Sequence, residues 1–145
     1  MQRPRSRLPF LIACLVASIA VRLAVGVGVV AGLSMWPSLA PGDIVVYVRG
    51  LEVREGTIVI VDLPGHGLIV KRVAAAGGRS LAGFEPVPDG SCFLVGDNRG
   101  NSYDSRFFGP IPQRLVVGRV VLVWPRRSGS APRSAPSEAH PHLSP

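Results

Sequence analysis

The sequence predicts a mainly β domain preceded by one N-terminal transmembrane helix. Three observations predict it. Five short Val/Ile-rich runs are separated by turn residues, an apolar stretch of 26 residues lies near the start, and no helical periodicity ten residues long appears between the runs. Pro and Gly together make 31 residues, so turns are many and long helices few.

Residues 1–7 carry Arg3, Arg5 and Arg7 and no acidic side chain, and are read as a basic cytoplasmic N-terminus. Residues 8–31 are read as the membrane anchor, within an apolar run from Leu8 to Leu33 whose one charge is Arg22. About 20 apolar residues span a bilayer. An arginine at mid-membrane costs roughly 2.5–3.5 kcal/mol on insertion scales, so Arg22 either snorkels or marks the far boundary of a shorter span. The positive-inside rule then places the rest of the chain on the extracytoplasmic side of the cell membrane, held by a single pass. A cleavable signal peptide ending at Ser18-Ile19-Ala20 is the alternative, and it exports the domain equally. The anchor is preferred because the apolar run continues past Ala20.

Residues 32–125 form the expected domain. Its strands are Asp43–Arg49, Thr57–Asp62, Leu68–Ala74, Cys92–Val95 and Leu115–Trp124, each bounded by Gly, Pro, Asp or Asn. Pro41-Gly42, Pro64-Gly65 and Gly77-Gly78 mark turns between them. Residues 126–145, rich in Pro, Ser, Ala and Arg, have too few apolar side chains to fold and are expected to be disordered.

The net charge of +7 does not come from the domain, where nine basic side chains from Ser34 to Pro125 face eight acidic ones. The excess sits in the leader and the tail. A nucleic-acid binder needs a basic face on its folded part, so no nucleic-acid partner is expected. Basic residues flanking an apolar stretch point to membrane lipid instead. Cys14 and Cys92 form no metal-ligand spacing, so no metal and no cofactor are expected, and Cys92 reads as a small buried apolar residue.

Lysine usage is the first chemical anomaly. Fifteen of the sixteen basic residues are Arg, and Lys71 is the only lysine. Strand alternation places Ile69, Lys71 and Val73 on one face. An ordinary snorkelling strand lysine is the plain alternative. Burial, however, lowers a lysine pKa toward neutrality, whereas arginine stays charged, and a neutral amine can take a proton from a hydroxyl. Of the histidines only His66 falls inside the domain, at a turn, which disfavours a Ser-His-Asp arrangement and leaves a Ser-Lys dyad. Ser34, between the apolar run and the first strand, is the candidate nucleophile, and Ser38 is its neighbour to exclude.

The order Ser34-Met35-x-Pro37-Ser38-Leu39, Pro41-Gly42-Asp43, Val70-Lys71-Arg72-Val73, Gly96-Asp97-Asn98-x-x-x-Ser102-x-Asp104-Ser105-Arg106 and Phe108-Gly109-Pro110 closely resembles bacterial signal peptidase I, the Ser-Lys peptidases of family S26. The resemblance covers roughly Gly32 to Pro125 and is to the short, Gram-positive-like type. It implies a catalytic core of coiled antiparallel sheets, with Ser34 as nucleophile and Lys71 as general base. Ser102 matches a hydroxyl that orients the lysine amine. Asp104 and Arg106 match a structural ion pair, and Asp97 has a structural role nearby. Met35, Leu39, Ile69 and Val70 match substrate-pocket positions, with ordinary core packing as their alternative. The backbone N–H of Ser34 is the expected oxyanion donor, since Gly32 offers no side-chain hydroxyl. The implied partners are exported preproteins with Ala-x-Ala-like cleavage sites. Two other readings stay open: a dedicated maturation peptidase of the nickel superoxide dismutase or conjugation type, and a non-catalytic membrane-tethered β domain.

Overall fold

The computed structural model describes residues 7–126. Most of the basic N-terminus and of the tail expected to be disordered therefore lies outside the described residues. Helix α1 spans Leu8–Ala24. Seven strands follow: β1 Val25–Val29, β2 Ile44–Val48, β3 Ile58–Leu63, β4 Gly67–Ala76, β5 Ser91–Val95, β6 Ile111–Pro112 and β7 Val116–Trp124. One short helix, α2 Ser105–Phe108, sits between β5 and β6. The strands form one sheet in the order β1-β2-β7-β3-β4-β5-β6, and every ladder is antiparallel.

The five expected strands are present with ends moved by a residue or two. The expected anchor is divided. Its first part is α1, whose 17 residues include none that is buried. At 1.5 Å per residue such a helix is about 25 Å long, against a hydrocarbon core of about 30 Å. No described helix is long and apolar enough to cross a membrane. The second part, Val25-Gly26-Val27-Gly28-Val29, leaves the helix and pairs along its whole length with β2. Glycine and valine are both poor helix residues, and their alternation suits a strand. The sheet thus begins at Val25, ahead of the boundary expected at residue 32.

Strand β3 is apolar on both faces because both faces are covered. Ile58 and Ile60 point to a core of Val30, Met35, Leu39, Val45 and Tyr47. Val59, Val61 and Leu63 point to a second core with Val73, Cys92, Leu94 and Ile111. The register Ile60↔Val70 and Val59↔Lys71 carries this division to β4, so Lys71 lies on the face of the second core. Cys92 is fully buried there, and burial pushes its thiol up to about 11, so it packs as an inert apolar side chain.

Tyr47 of β2 closes the first core at the sheet edge. Its ring occupies the space left by two glycines on the neighbouring strands, Gly26 of β1 and Gly118 of β7. A Cβ at Gly118 would lie 2.7 Å from Tyr47 Cδ2 and 2.8 Å from the Val48 carbonyl oxygen. Gly118→Ala is therefore expected to destabilise the domain by about 1–3 kcal/mol through overpacking. A lower urea midpoint at unchanged slope would show this, and an unchanged midpoint would contradict it.

Candidate active site

Ser34 lies in a turn between β1 and β2 that is held by its apolar members. Met35 and Leu39 are buried in the first core, and the Leu39 N–H donates to the Met35 carbonyl at 2.9 Å. The far end of the turn is tied by Asp43, whose carboxylate accepts from the Ala40 N–H at 2.8 Å and the Arg126 N–H at 3.0 Å. On its other side the turn is bound to the loop after β5. The Asn98 N–H donates to the Ser34 carbonyl at 2.9 Å, and its side-chain amide donates to the Leu33 carbonyl at 3.2 Å. Ser34 itself stays half-buried.

Lys71 is only 4% exposed, on the unpaired edge of β4. The β4–β5 ladder begins at Arg72↔Val95, so Gly67–Lys71 pair with β3 alone. Burial lowers the lysine pKa; the nearby Asp104 charge raises it, and the Arg106 charge lowers it. Ser34 and Lys71 line the same cleft of about 200 Å³. Met35, Ile69 and Val70, three of the positions expected to meet substrate, line it too. Leu39, the fourth, is not in the lining; it is buried beside Met35 in the first core. Val29, Val30, Ala31, Gly32 and Leu68 complete the lining. Sequence reasoning missed Val29, Val30 and Ala31 because they fell at the end of the expected anchor.

The segment from Gly96 to Arg106 closes the back of the site. Asp104 is fully buried and accepts five hydrogen bonds: from the Gly96 N–H at 2.8 Å, Ser102 Oγ at 2.7 Å, the Arg106 N–H at 3.2 Å, and Arg106 Nε and Nη2 at 2.8 and 2.9 Å. Burial alone would push its carboxyl up. The donors from Arg106, Gly96 and Ser102 outweigh that and hold it at about 2. Asp104 also caps α2 through the Arg106 N–H. Gly96 is where the parts converge. Continuing the register by one residue sets it opposite Lys71, and a Cβ there would collide with Ser102 Oγ and the Ser34 carbonyl oxygen.

The expected ion pair of Asp104 and Arg106 is thus in place. The Ser102 hydroxyl gives its one proton to Asp104, so toward a lysine amine it can only accept. Asp97 forms a second ion pair whose partner sequence reasoning did not name. Arg72 Nε and Nη2 donate to its two oxygens at 2.8 and 2.6 Å, and Nη2 also reaches Ser38 Oγ at 3.3 Å. Hydrogen bonding from Arg72 lowers the Asp97 pKa. This pair joins β4, the loop after β5 and the Ser34 turn. The signal for it was the Lys71-Arg72 neighbourhood itself, since alternation turns Arg72 away from the face that carries Lys71.

A family model described as signal peptidase, peptidase S26, matches residues 5–83 and 78–125. The chain belongs to the peptidase S26 family. Among curated S26 relatives, the mouse mitochondrial inner membrane protease subunit 1 is 36% identical over 117 residues, covering 69% of this chain and 70% of the relative. The human subunit 1 is 34% identical over 129 residues, covering 77% of each. Signal peptidase I of Aquifex aeolicus is 44% identical over a shorter stretch of 55 residues, 38% of this chain and 21% of that protein. The S26 relatives thus include both bacterial signal peptidases and mitochondrial inner membrane subunits, and the Gram-positive-like type is not singled out among them.

The Asp104 carboxyl lies lower in the folded S26 domain than in an unfolded chain. Its contribution is complete above about pH 4 and is lost as pH falls toward 2. Asp104→Asn is expected to lower stability at neutral pH by about 2 kcal/mol and to flatten the acid limb of the stability curve below pH 4. Denaturant titrations across pH 2–7 would test this, and an acid limb of unchanged slope would contradict it.

Proposed function

We propose that this chain is a membrane-bound serine endopeptidase that removes leader segments from exported preproteins by a Ser34–Lys71 dyad. The observation that carries this reading is the burial of the chain's one lysine at the cleft that also holds Ser34. In this mechanism a neutral Lys71 Nζ takes the Ser34 proton as Oγ attacks the scissile carbonyl carbon. The Ser34 N–H stabilises the developing oxyanion. The resulting ammonium returns its proton to the leaving amine as the peptide bond breaks. Water then attacks the acyl-serine carbonyl carbon while Lys71 Nζ takes one of its protons; the bond to Ser34 Oγ breaks, the ammonium returns that proton to Oγ, and the free acid departs. Ser102, with its own proton held by Asp104, accepts an N–H of the lysine and leaves the amine lone pair for Ser34.

The same reading accounts for the open edge of β4. Unpaired backbone groups from Gly67 to Lys71 suit an extended substrate added as a strand, with side chains entering the cleft. The cleft is small, which favours small residues before the scissile bond, as in Ala-x-Ala. Exported preproteins supply that sequence at a membrane surface, where the apolar α1 would hold the enzyme.

Purified wild type in detergent is expected to cleave a preprotein after the second Ala of such a site, and Ser34→Ala is not. Cleavage by both would overturn Ser34 as nucleophile, while cleavage by neither would redirect the assignment to a dedicated maturation substrate. Lys71→Arg should be as inactive as Lys71→Ala, because a guanidinium stays protonated near neutral pH. Wild-type kcat/KM should rise with pH through the lowered lysine pKa, because the ammonium form below it has no lone pair to accept the serine proton. A flat pH profile, or an active Lys71→Arg enzyme, would exclude the dyad.

A further inference from the structure

Helix α1 meets the domain at a joint that the proposed mechanism does not use. No α1 residue is buried, and α1 passes into β1 with no loop between Ala24 and Val25. Arg49, just past the end of β2, holds this joint from the side. Its N–H donates to the Ala24 carbonyl at 2.8 Å. Its Nη1 donates to the Leu23 carbonyl at 3.0 Å and to the Val25 carbonyl at 3.4 Å. Its Nη2 reaches the Tyr47 hydroxyl at 3.5 Å, and the guanidinium stands 5.4 Å from the Tyr47 ring centre. The last carbonyls of a helix lack intrahelical donors and carry partial negative charge, so a guanidinium fits them by both geometry and sign. Tyr47 is in turn wedged between Gly26 and Gly118, so Arg49 is braced against the least yielding part of this edge.

The sheet face next to this joint is apolar and bare. Val29, Ile44 and Trp124 stand opposite one another across β1, β2 and β7, and Val27, Val46 and Leu122 form the next row on the same face. All but Val46 are exposed. Arg126 borders the groove between Val29 and Trp124, and Arg22 lies in the last turn of α1. An apolar strip that continues an apolar helix, rimmed by arginines, matches a bilayer surface with its hydrocarbon edge and anionic headgroups.

We propose that Arg49 is a positioning residue that locks α1 to the β1–β2 edge, and so sets the apolar row on the bilayer that holds α1 and fixes the height of the cleft above it. The inference rests on the membrane-bound peptidase reading for its effect on catalysis. Arg49 touches neither Ser34 nor the cleft, so its loss should matter for a substrate held in the membrane and not for one free in solution.

The test uses the full chain in nanodiscs of phosphatidylcholine and phosphatidylglycerol. In a Trp36→Phe background Trp124 is the one remaining tryptophan, and brominated phosphatidylcholine should quench it. Arg49→Ala should reduce that quenching by about half or more, with Arg49→Lys restoring part of it, because a lysine supplies donors to the same carbonyls without the planar fork. In the Trp36-containing enzyme, Arg49→Ala should lower kcat/KM about tenfold for a preprotein inserted in the same nanodisc, with less than about twofold change for a short soluble peptide bearing the same site. An unquenched Trp124, equal quenching with and without Arg49, or equal loss on both substrates would each overturn the proposal. So would two copies per nanodisc with Trp124 shielded between them. Should the parent enzyme cleave neither substrate, the peptidase reading fails while the quenching comparison still decides the role of Arg49.

Discussion

The site depends on a buried carboxylate being neutralised by something other than the lysine beside it. Asp104 has no contact with solvent, and its charge acts to raise the Lys71 pKa. Paired with Lys71 directly, it would hold that amine in its charged form. Arg106 takes the carboxylate instead, through two side-chain donors and its own N–H. The pair shows Lys71 two opposed charges, and burial is left as the dominant influence on the amine. A buried ion pair of this kind is weak evidence for stability in itself, since desolvation offsets much of the attraction. Here its effect is electrostatic: it orders Gly96 and Ser102 without adding net charge beside Lys71.

The same constraint explains the shape of the chain around the site. Gly96 is drawn to Asp104 by its N–H and stands where Ser102 and the Ser34 carbonyl meet, so no larger residue fits. That close approach brings the loop after β5 against the Ser34 turn, and Asn98 then ties the two backbones together. Arg72 and Asp97 make a second tie on the opposite face of β4. Lys71 and Arg72 are adjacent, and each faces a carboxylate segment of the same loop. One strand thus carries Lys71 on one face and the clamp for the Ser34 turn on the other.

Much of this is legible in the amino-acid sequence. The five Val/Ile runs become five strands, because each is bounded by turn residues and apolar enough to be covered. Lys71 stands out by composition alone. Three parts are hidden for physical reasons. The Val-Gly-Val-Gly-Val segment is as apolar as the helix before it, and only pairing with β2 and the Tyr47 ring over Gly26 turn it into a strand. Strand β6 is two residues long, too short to leave a pattern. Leu39 sits in the same motif and the same core as Met35, yet only Met35 also reaches the cleft. Motif membership fixes neighbourhood, whereas side-chain direction is settled by packing.

The divided apolar run also changes what holds Ser34 at its distance from the end of α1. A helix running to residue 31 would have left Ser34 almost at its end. With α1 closing at Ala24, nine residues lie between helix and Ser34, a reach of at most about 35 Å if fully extended. Half of that path is β1, which hydrogen bonds to β2 make rigid. The cleft takes in Val29 at the end of β1 as well as Ser34 and Lys71. The sheet, and not the length of the helix, therefore sets how far Ser34 lies from the end of α1.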